Sequence, residues 1–313
     1  MQPTTYLTCL FTAFCYRGIQ QKDNLCPIGC DCIGGKTDRS FYCHSTSVIF
    51  LTTLNHFRTL QLIDVRSISK LPSKATLLLN CDYLMIDKAG NVKQPKPEHI
   101  NVFPSFVTIT NSDLKNVEKY FRIDYSLTRE IHFENISDLE EIWLTQKFEN
   151  LISLTVLNSP IESITFGTFY WLPNLESLVL RHTKINGTLS SEWFRRKMIN
   201  LKYLDLSYNK LTTIDKYVFT KLPSLKILKL NNNLLTGINW ETMKPIWHNL
   251  QEFWLTGNVN LKCDYFCWIF DHFPHPSVFD STDCSFSIIP PKETNFFNFT
   301  SNTHNLKCKQ LIV

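Results

Sequence analysis

Leucine and its aliphatic substitutes recur along this chain in the order L-x-x-L-x-L, with polar residues interleaved and an asparagine at the ninth position. The clearest copies are LKYLDLSYNKL from Leu201, LKILKLNNNLL from Leu225 and LQEFWLTGNVNL from Leu250, at steps of 24 and 25 residues. The same frame runs back through LESLVLRHTKI from Leu175 and LISLTVLNSPI from Leu151, where Thr183 and Ser159 hold position nine. Alternation over Leu204, Asp205, Leu206 and Ser207 predicts a short strand with its leucines inward and its polar residues toward solvent. Asn209, just past that strand, is placed to satisfy peptide groups of the turning backbone that no sheet partner reaches. Leu211, Ile214, Phe219 and Leu222 then fill the space behind the strand. One such unit cannot bury its own core, so the repeat predicts stacked copies: an α/β solenoid, horseshoe-curved, with a parallel concave sheet and an irregular convex side. A propeller would need longer units of several strands each, and a β-helix shorter turns.

Towards the N-terminus the pattern blurs. PSFVTITNSDL fits around Val107 and Ile109 with Ser112 at position nine, and TREIHFENI fits less well around Ile131 and Phe133. SKATLLLNCDYL near Leu77 and FRTLQLIDVRSI near Phe57 read as two opening repeats. Met85 to Ile100, with Gly90, Pro95 and Pro97, reads as an insertion loop. The expectation is seven to nine repeats over residues 51–262, with Leu60, Leu77 and Val107 on one continuous sheet.

At 313 residues and 43% hydrophobic, the chain can bury a large core without a metal. The formal charge of +4 is scattered, with no run of Lys or Arg to track a phosphate backbone, which argues against nucleic acid as partner. The eleven cysteines cluster instead: four within Cys26–Cys43, four within Cys263–Cys308, and only Cys81 between. Neither cluster has paired C-x-x-C knuckles, so both read as disulfide-stapled caps, at 26–50 and 263–313, formed in an oxidising compartment. For four cysteines the sequence leaves three pairings open. Cys81 is read either as a buried free thiol or as the site of an intermolecular bond. Tyr265 to Phe273, YFCWIFDHF, is apolar enough for a short helix over the open end of the core.

The run Tyr6–Cys15 has the length of a signal-peptide core, which predicts a signal peptide over residues 1–15, although Met1 to Thr5 carries no Lys or Arg. No later stretch reaches the roughly 18–20 apolar residues of a membrane span. The expectation is a soluble secreted product.

The repeats and both cysteine clusters resemble the extracellular leucine-rich-repeat proteins with cysteine-rich caps, a group of matrix, adhesion and Toll-like receptor-type ectodomains. The front motif C-x3-C-x-C-x10-C matches that group, and the resemblance implies bonds Cys26–Cys32 and Cys30–Cys43. At the back it implies Cys263–Cys284 and Cys267–Cys308. There the chain departs from the usual C-x-C opening, and Pro274 and Pro276 interrupt the following helix.

Function is expected on the concave sheet, at the positions between the leucines. The candidates for ligand contact are Val179, Arg181, His182, Tyr203, Asp205, Tyr208, Lys229 and Trp254, a set of aromatic anchors ringed by charge. Trp254 is the sharpest of them, with packing against the back cap as its alternative role. Glycan acceptors are Asn135, Asn186 and Asn298; a glycan on Asn135 would cover the first half of the face and move binding to the C-terminal repeats. Catalytic signatures are missing: no H-E-x-x-H, G-x-S-x-G or phosphate-binding glycine loop. Asp271, His272 and His275 lack a further well-spaced metal ligand, and His182 with Asp205 lacks a nucleophile and an oxyanion donor. The expected function is a secreted or cell-surface recognition protein that binds an extracellular protein or glycan, needing neither metal nor cofactor. The alternative is a matrix component acting by self-association, for instance as a homodimer.

Overall fold

The alternating segments fold as strands that stack side by side, one per repeat. The computed structural model describes residues 26–280 except for 36–37, 45–46, 51–53, 66, 71–76, 90–99, 116, 118–120, 140–147, 162–163, 263–267 and 269–275. The expected signal peptide, the four back-cap cysteines and Asn298 lie outside the described residues.

In chain order the strands are β1 (Cys30–Ile33), β2 (Ser40–Cys43), β3 (Ser47–Phe50), β4 (Leu54–Ile63), β5 (Ser67–Lys70) and β6 (Leu77–Asp87). Next come β7 (Ile100–Thr110), β8 (Phe121–Ile123), β9 (Glu130–Glu134), β10 (Ser153–Leu157), β11 (Ser177–Arg181) and β12 (Asn186–Leu189). The last are β13 (Tyr203–Asp205), β14 (Lys210–Ile214), β15 (Ile227–Lys229), β16 (Glu252–Trp254) and β17 (Val278–Asp280). The main sheet runs β1-β2-β4-β6-β7-β9-β10-β11-β13-β15-β16-β17, with β8 beside β7, and is parallel apart from the β1–β2 hairpin. The convex side carries two short parallel pairs, β3–β5 and β12–β14, several 3-10 turns and a four-residue helix, α1 (Trp240–Met243).

One register unites the sheet. Phe41, Leu60, Leu84, Val107, Ile131, Leu154, Leu178, Leu204, Leu228, Phe253 and Phe279 stand opposite one another from strand to strand. Each such buried aliphatic or aromatic side chain contributes about 1.5–3 kcal/mol of transfer free energy. The register corrects the frame of the second repeat. Leu77 lies on the sheet but pairs with Ile100, at the outer end of a long strand; position four is Leu84 and position six Ile86. The expected insertion loop is shorter for the same reason, because Met85, Ile86 and Asp87 complete β6 and Ile100 begins β7.

Cys81 takes position one of that repeat, three residues before Leu84, and is buried. It is a free thiol, and burial, aided by the neighbouring Asp82 carboxylate, pushes its pKa up to about 12.

At position nine, Asn209, Asn233 and Asn258 plug the turns. The Asn233 Oδ1 accepts from the Leu211 amide at 3.0 Å, and its Nδ2 donates to the carbonyls of Leu206 at 2.9 Å and Leu230 at 3.0 Å. Each asparagine thus ties its own turn to the preceding repeat. Ser159 does less: it accepts from the Ile136 amide at 2.9 Å and donates to the Leu157 carbonyl of its own repeat at 2.7 Å. Ser112 repeats this pattern with Ala89 and Thr110. Where Ile136 occupies position nine, the Asp138 carboxylate receives the Leu114 and Lys115 amides instead, at 2.7 and 2.9 Å.

Both ends of the stack are covered. At the front, Cys26 is bonded to Cys32 and Cys30 to Cys43, and the β1–β2 hairpin lays Phe41 against Phe57, ring centroids 4.9 Å apart. Gly34, at φ +101°, makes the hairpin turn, and a Cβ there would stand 2.8 Å from the Asp38 carbonyl oxygen. At the back, Trp268 packs on Trp247 and Trp240 and donates its indole N–H to the Ile238 carbonyl at 2.8 Å, while β17 adds a strand to β16.

Two outcomes follow. Asn233→Ala removes three good hydrogen bonds and strands their buried partners, so it should cost about 3 kcal/mol in urea unfolding, against about 1 kcal/mol for Ser159→Ala; equal costs would contradict the plug role. The peptide bearing Cys81 should escape iodoacetamide at pH 8 in the native protein and be alkylated in urea, as read by mass spectrometry; rapid native labelling would contradict its burial.

Candidate functional site

Between the inward columns, the odd-facing residues of the strands form the concave surface. The eight residues expected to contact ligand fall on four adjacent strands, β11, β13, β15 and β16, and on the turns that follow β11 and β13. Neighbouring strands lie about 4.8 Å apart, so these residues form one continuous patch, and the structure resolves it into two sets of contacts.

In the first, the Arg181 guanidinium lies 4.8 Å from the centroid of the exposed Tyr208 ring, with the His182 ring 6.4 Å from the same tyrosine. In the second, the Lys229 ammonium sits 5.4 Å from the ring centroids of both Tyr203 and Trp254. An ammonium held between two rings is positioned while keeping its charge, because the quadrupoles attract it without neutralising it. Trp254 is half-buried and donates its indole N–H to the Glu252 carboxylate at 3.0 Å. Its backbone pairs with Asp280 of β17, so it stands at the last turn of the face with its ring toward Lys229. Val179 is half-buried beside them. Burial, and secondarily Asp205, hold the Tyr203 phenol pKa above its usual range, so this ring stays neutral.

Asp205 departs from the expectation. It is only 5% exposed, and its Oδ1 accepts from both the amide and the hydroxyl of Ser207, itself buried. Its register partners on the adjacent strands are Val179 and Lys229. Asp205 therefore ties down the strand exit and leaves little of its carboxylate at the surface. His182 is likewise engaged, with Nδ1 2.8 Å from the Asn158 Oδ1. The His182–Asp205 pairing considered from sequence is not formed, since His182 bonds Asn158 of the preceding repeat and Asp205 bonds Ser207 of its own turn.

A feature that sequence reading missed lies at position eight. Asp64, Lys88, Asn111, Asn135, Asn158, His182, Tyr208, Asn232 and Gly257 all have left-handed backbone, with φ from +48° to +81°. Each amide from Asp64 to Asn232 donates to a carbonyl of the next repeat, for example Tyr208 to Asn231 at 3.0 Å. Asn, Asp and Gly adopt this conformation readily, whereas Tyr does so at a cost of roughly 1–2 kcal/mol. Tyr208 thus occupies a slot whose backbone favours asparagine, a strain more often met at functional positions than elsewhere. The run of Asn and Gly just before position nine was the signal available in the sequence.

Asn135 belongs to this column and is exposed. Its Nδ2 donates to the Asn111 Oδ1 at 2.9 Å, and it borders a hollow with Asp87, Thr110 and Glu134. Asn186, at the start of β12, is exposed on the convex side. Among the described residues no group of three His, Cys, Asp or Glu side chains is arranged to hold a metal, and no helix is long and apolar enough to cross a membrane.

The shared frame, the asparagine plugs and the front disulfides define a leucine-rich-repeat solenoid with a disulfide-stabilised N-terminal region. A family model described as leucine rich repeat matches residues 173–235 and 199–259. The chain is 33% identical over 106 residues to human "Leucine-rich repeats and immunoglobulin-like domains protein 2", covering 33% of this chain and 10% of that protein. It is 28% identical over 210 residues to Toll-like receptor 3 of Boselaphus tragocamelus, and 28% over 206 residues to that of Bos taurus, covering 64% and 65% of this chain. In both cases it spans 20% of the receptor's length.

Tyr208→Asn should relieve about 1 kcal/mol of backbone strain and forfeit about 0.5 kcal/mol of exposed cation–π contact, a net gain near 0.5 kcal/mol in urea unfolding. A loss of stability would show that Tyr208 is held for packing.

Proposed function

We propose that the chain is a secreted or cell-surface recognition protein that binds a protein or glycan bearing acidic groups on the C-terminal concave surface, without catalysis. The observation that carries this reading is the Lys229 ammonium held between the rings of Tyr203 and Trp254, one turn of the solenoid from the Arg181–Tyr208 pair. Two cations fixed by aromatic rings on the concave face offer both an anchor surface and a charge preference. The strain accepted at Tyr208 supports a role for that ring beyond stability. Two front disulfides and the exposed acceptors Asn135 and Asn186 suit passage through an oxidising, glycosylating compartment. A glycan on Asn135 would occupy the hollow in the N-terminal half and leave the C-terminal half open. Among the relatives, the Toll-like receptors carry receptor in their names, in keeping with a recognition role for this domain.

The test is a binding screen of the secreted, glycosylated chain against extracellular proteins and glycans, run beside Trp254→Ala and Tyr208→Ala. Each substitution should weaken a true partner at least about tenfold, equivalent to about 1.4 kcal/mol, with the native fold retained. A partner indifferent to both would overturn the assignment of this surface.

A further inference from the structure

Half a repeat away from the concave strands, two adjacent turns build an exposed cluster of rings and cations that the concave reading does not use. The first turn, between β10 and β11, carries Phe166, Tyr170 and Trp171, with Phe166 65% and Trp171 40% exposed. The second, between β12 and β13, carries Arg195, Arg196 and Lys197. Backbone bonds lock the turns together: the Gly167 amide donates to the Glu192 carbonyl at 2.8 Å and the Phe169 amide to the Trp193 carbonyl at 3.2 Å. Beneath them Phe169 and Phe194 stack in the core, ring centroids 5.4 Å apart.

The cluster is ordered by specific contacts. Gly167, at φ +73°, brings its backbone under Arg195, whose Cβ and Cδ would lie 3.6 and 3.7 Å from a Cβ added there. The Arg195 guanidinium is thereby held 5.7 Å from the Phe166 centroid and 5.3 Å from that of Tyr170, while Arg196 reaches 5.1 Å from the same tyrosine. Trp171 packs edge-on against Tyr170, centroids 4.7 Å apart. Among the described residues neither guanidinium is within ion-pair distance of a carboxylate. Contiguous exposed apolar surface rimmed by polar groups marks an interaction site. Guanidiniums that rest on rings keep their N–H edges free for bidentate acceptors such as carboxylates.

We infer that this convex cluster is a second docking surface, for a segment of a partner protein in which acidic residues alternate with aromatic or aliphatic ones. The carboxylates engage Arg195 and Arg196, and the apolar side chains lie against Phe166 and Trp171. Charge complementarity selects this occupant. The paired planar forks favour carboxylates in fixed positions over a diffuse anionic field, and the flanking rings supply anchors that a purely ionic ligand would leave unused.

The test uses the whole chain and a fluorescein-labelled peptide of alternating Glu and Phe, read by anisotropy. Saturable binding is expected, reduced at least about thirtyfold by combined Arg195→Glu and Arg196→Glu, about fivefold by Phe166→Ala, and abolished when Lys replaces Glu in the peptide. The loss on combined Arg195→Glu and Arg196→Glu must also appear in a Trp254→Ala background, which separates the outcome from that of the concave surface. Should the Glu pair fail to fold, Arg195→Gln with Arg196→Gln must show the same direction of loss. No saturable binding, or binding indifferent to these variants, overturns the proposal. So does stronger capture by 7:3 phosphatidylcholine–phosphatidylserine vesicles or by a heparin-derived oligosaccharide, which would make the cluster a lipid- or sulfate-binding surface.

Discussion

The structure depends on the hydrogen bond that leaves each strand end for the next repeat. At position eight the backbone turns left-handed and its amide reaches a carbonyl of the following repeat, eight times in succession from Asp64 to Asn232. One residue later the side chain at position nine fills the turn. With these contacts in place, the inward columns at positions one, four and six meet across every interface, and the core is continuous from Phe41 to Phe253. A solenoid of this kind gains its stability at the interfaces between repeats, so a repeat that kept its leucines but lost its turn would no longer align them.

Because the frame is carried by backbone and buried side chains, the outward residues are free to vary. That freedom explains how one scaffold presents a concave patch with Lys229 between two rings, an N-terminal hollow bordered by Asp87 and Glu134, and a convex cluster around Arg195. The same frame also sets limits. Asp205 stands at an outward position, yet its carboxylate is drawn down onto Ser207 by the turn it must close. Tyr208 stands in a slot that suits asparagine, as do Lys88 and His182 in the same column.

Much of the architecture was legible from the leucine spacing. The last five repeats carry Leu at positions one and four and Leu or Val at six, with Phe253 the single exception at four, and three keep Asn at nine. The opening repeats hid their frame because Cys81, Pro104 and Thr128 take position one, and Val65 and Ala89 take position nine. The run LLLNC then offered Leu77 as an anchor, although it belongs to the extended outer half of β6. Of the site, the column positions of Val179, Arg181, Tyr203, Lys229 and Trp254 followed from period two. The burial of Asp205 did not, because it depends on the lengths of its strand neighbours. The convex cluster escaped because it joins turns about a repeat apart with no pattern of their own.

The central claim is that one inter-repeat hydrogen-bond frame runs unbroken through the described repeats, faint opening copies included. Native-state hydrogen exchange resolved to single amides tests it most directly. The account predicts slow exchange at the position-eight amides of Asp64, Lys88 and Asn111 comparable to that at His182 and Tyr208, with the exposed amides of the intervening turns exchanging fast. Rapid exchange at Asp64 and Lys88 beside protection at Tyr208 would contradict it, and would mean that the N-terminal repeats do not share the frame.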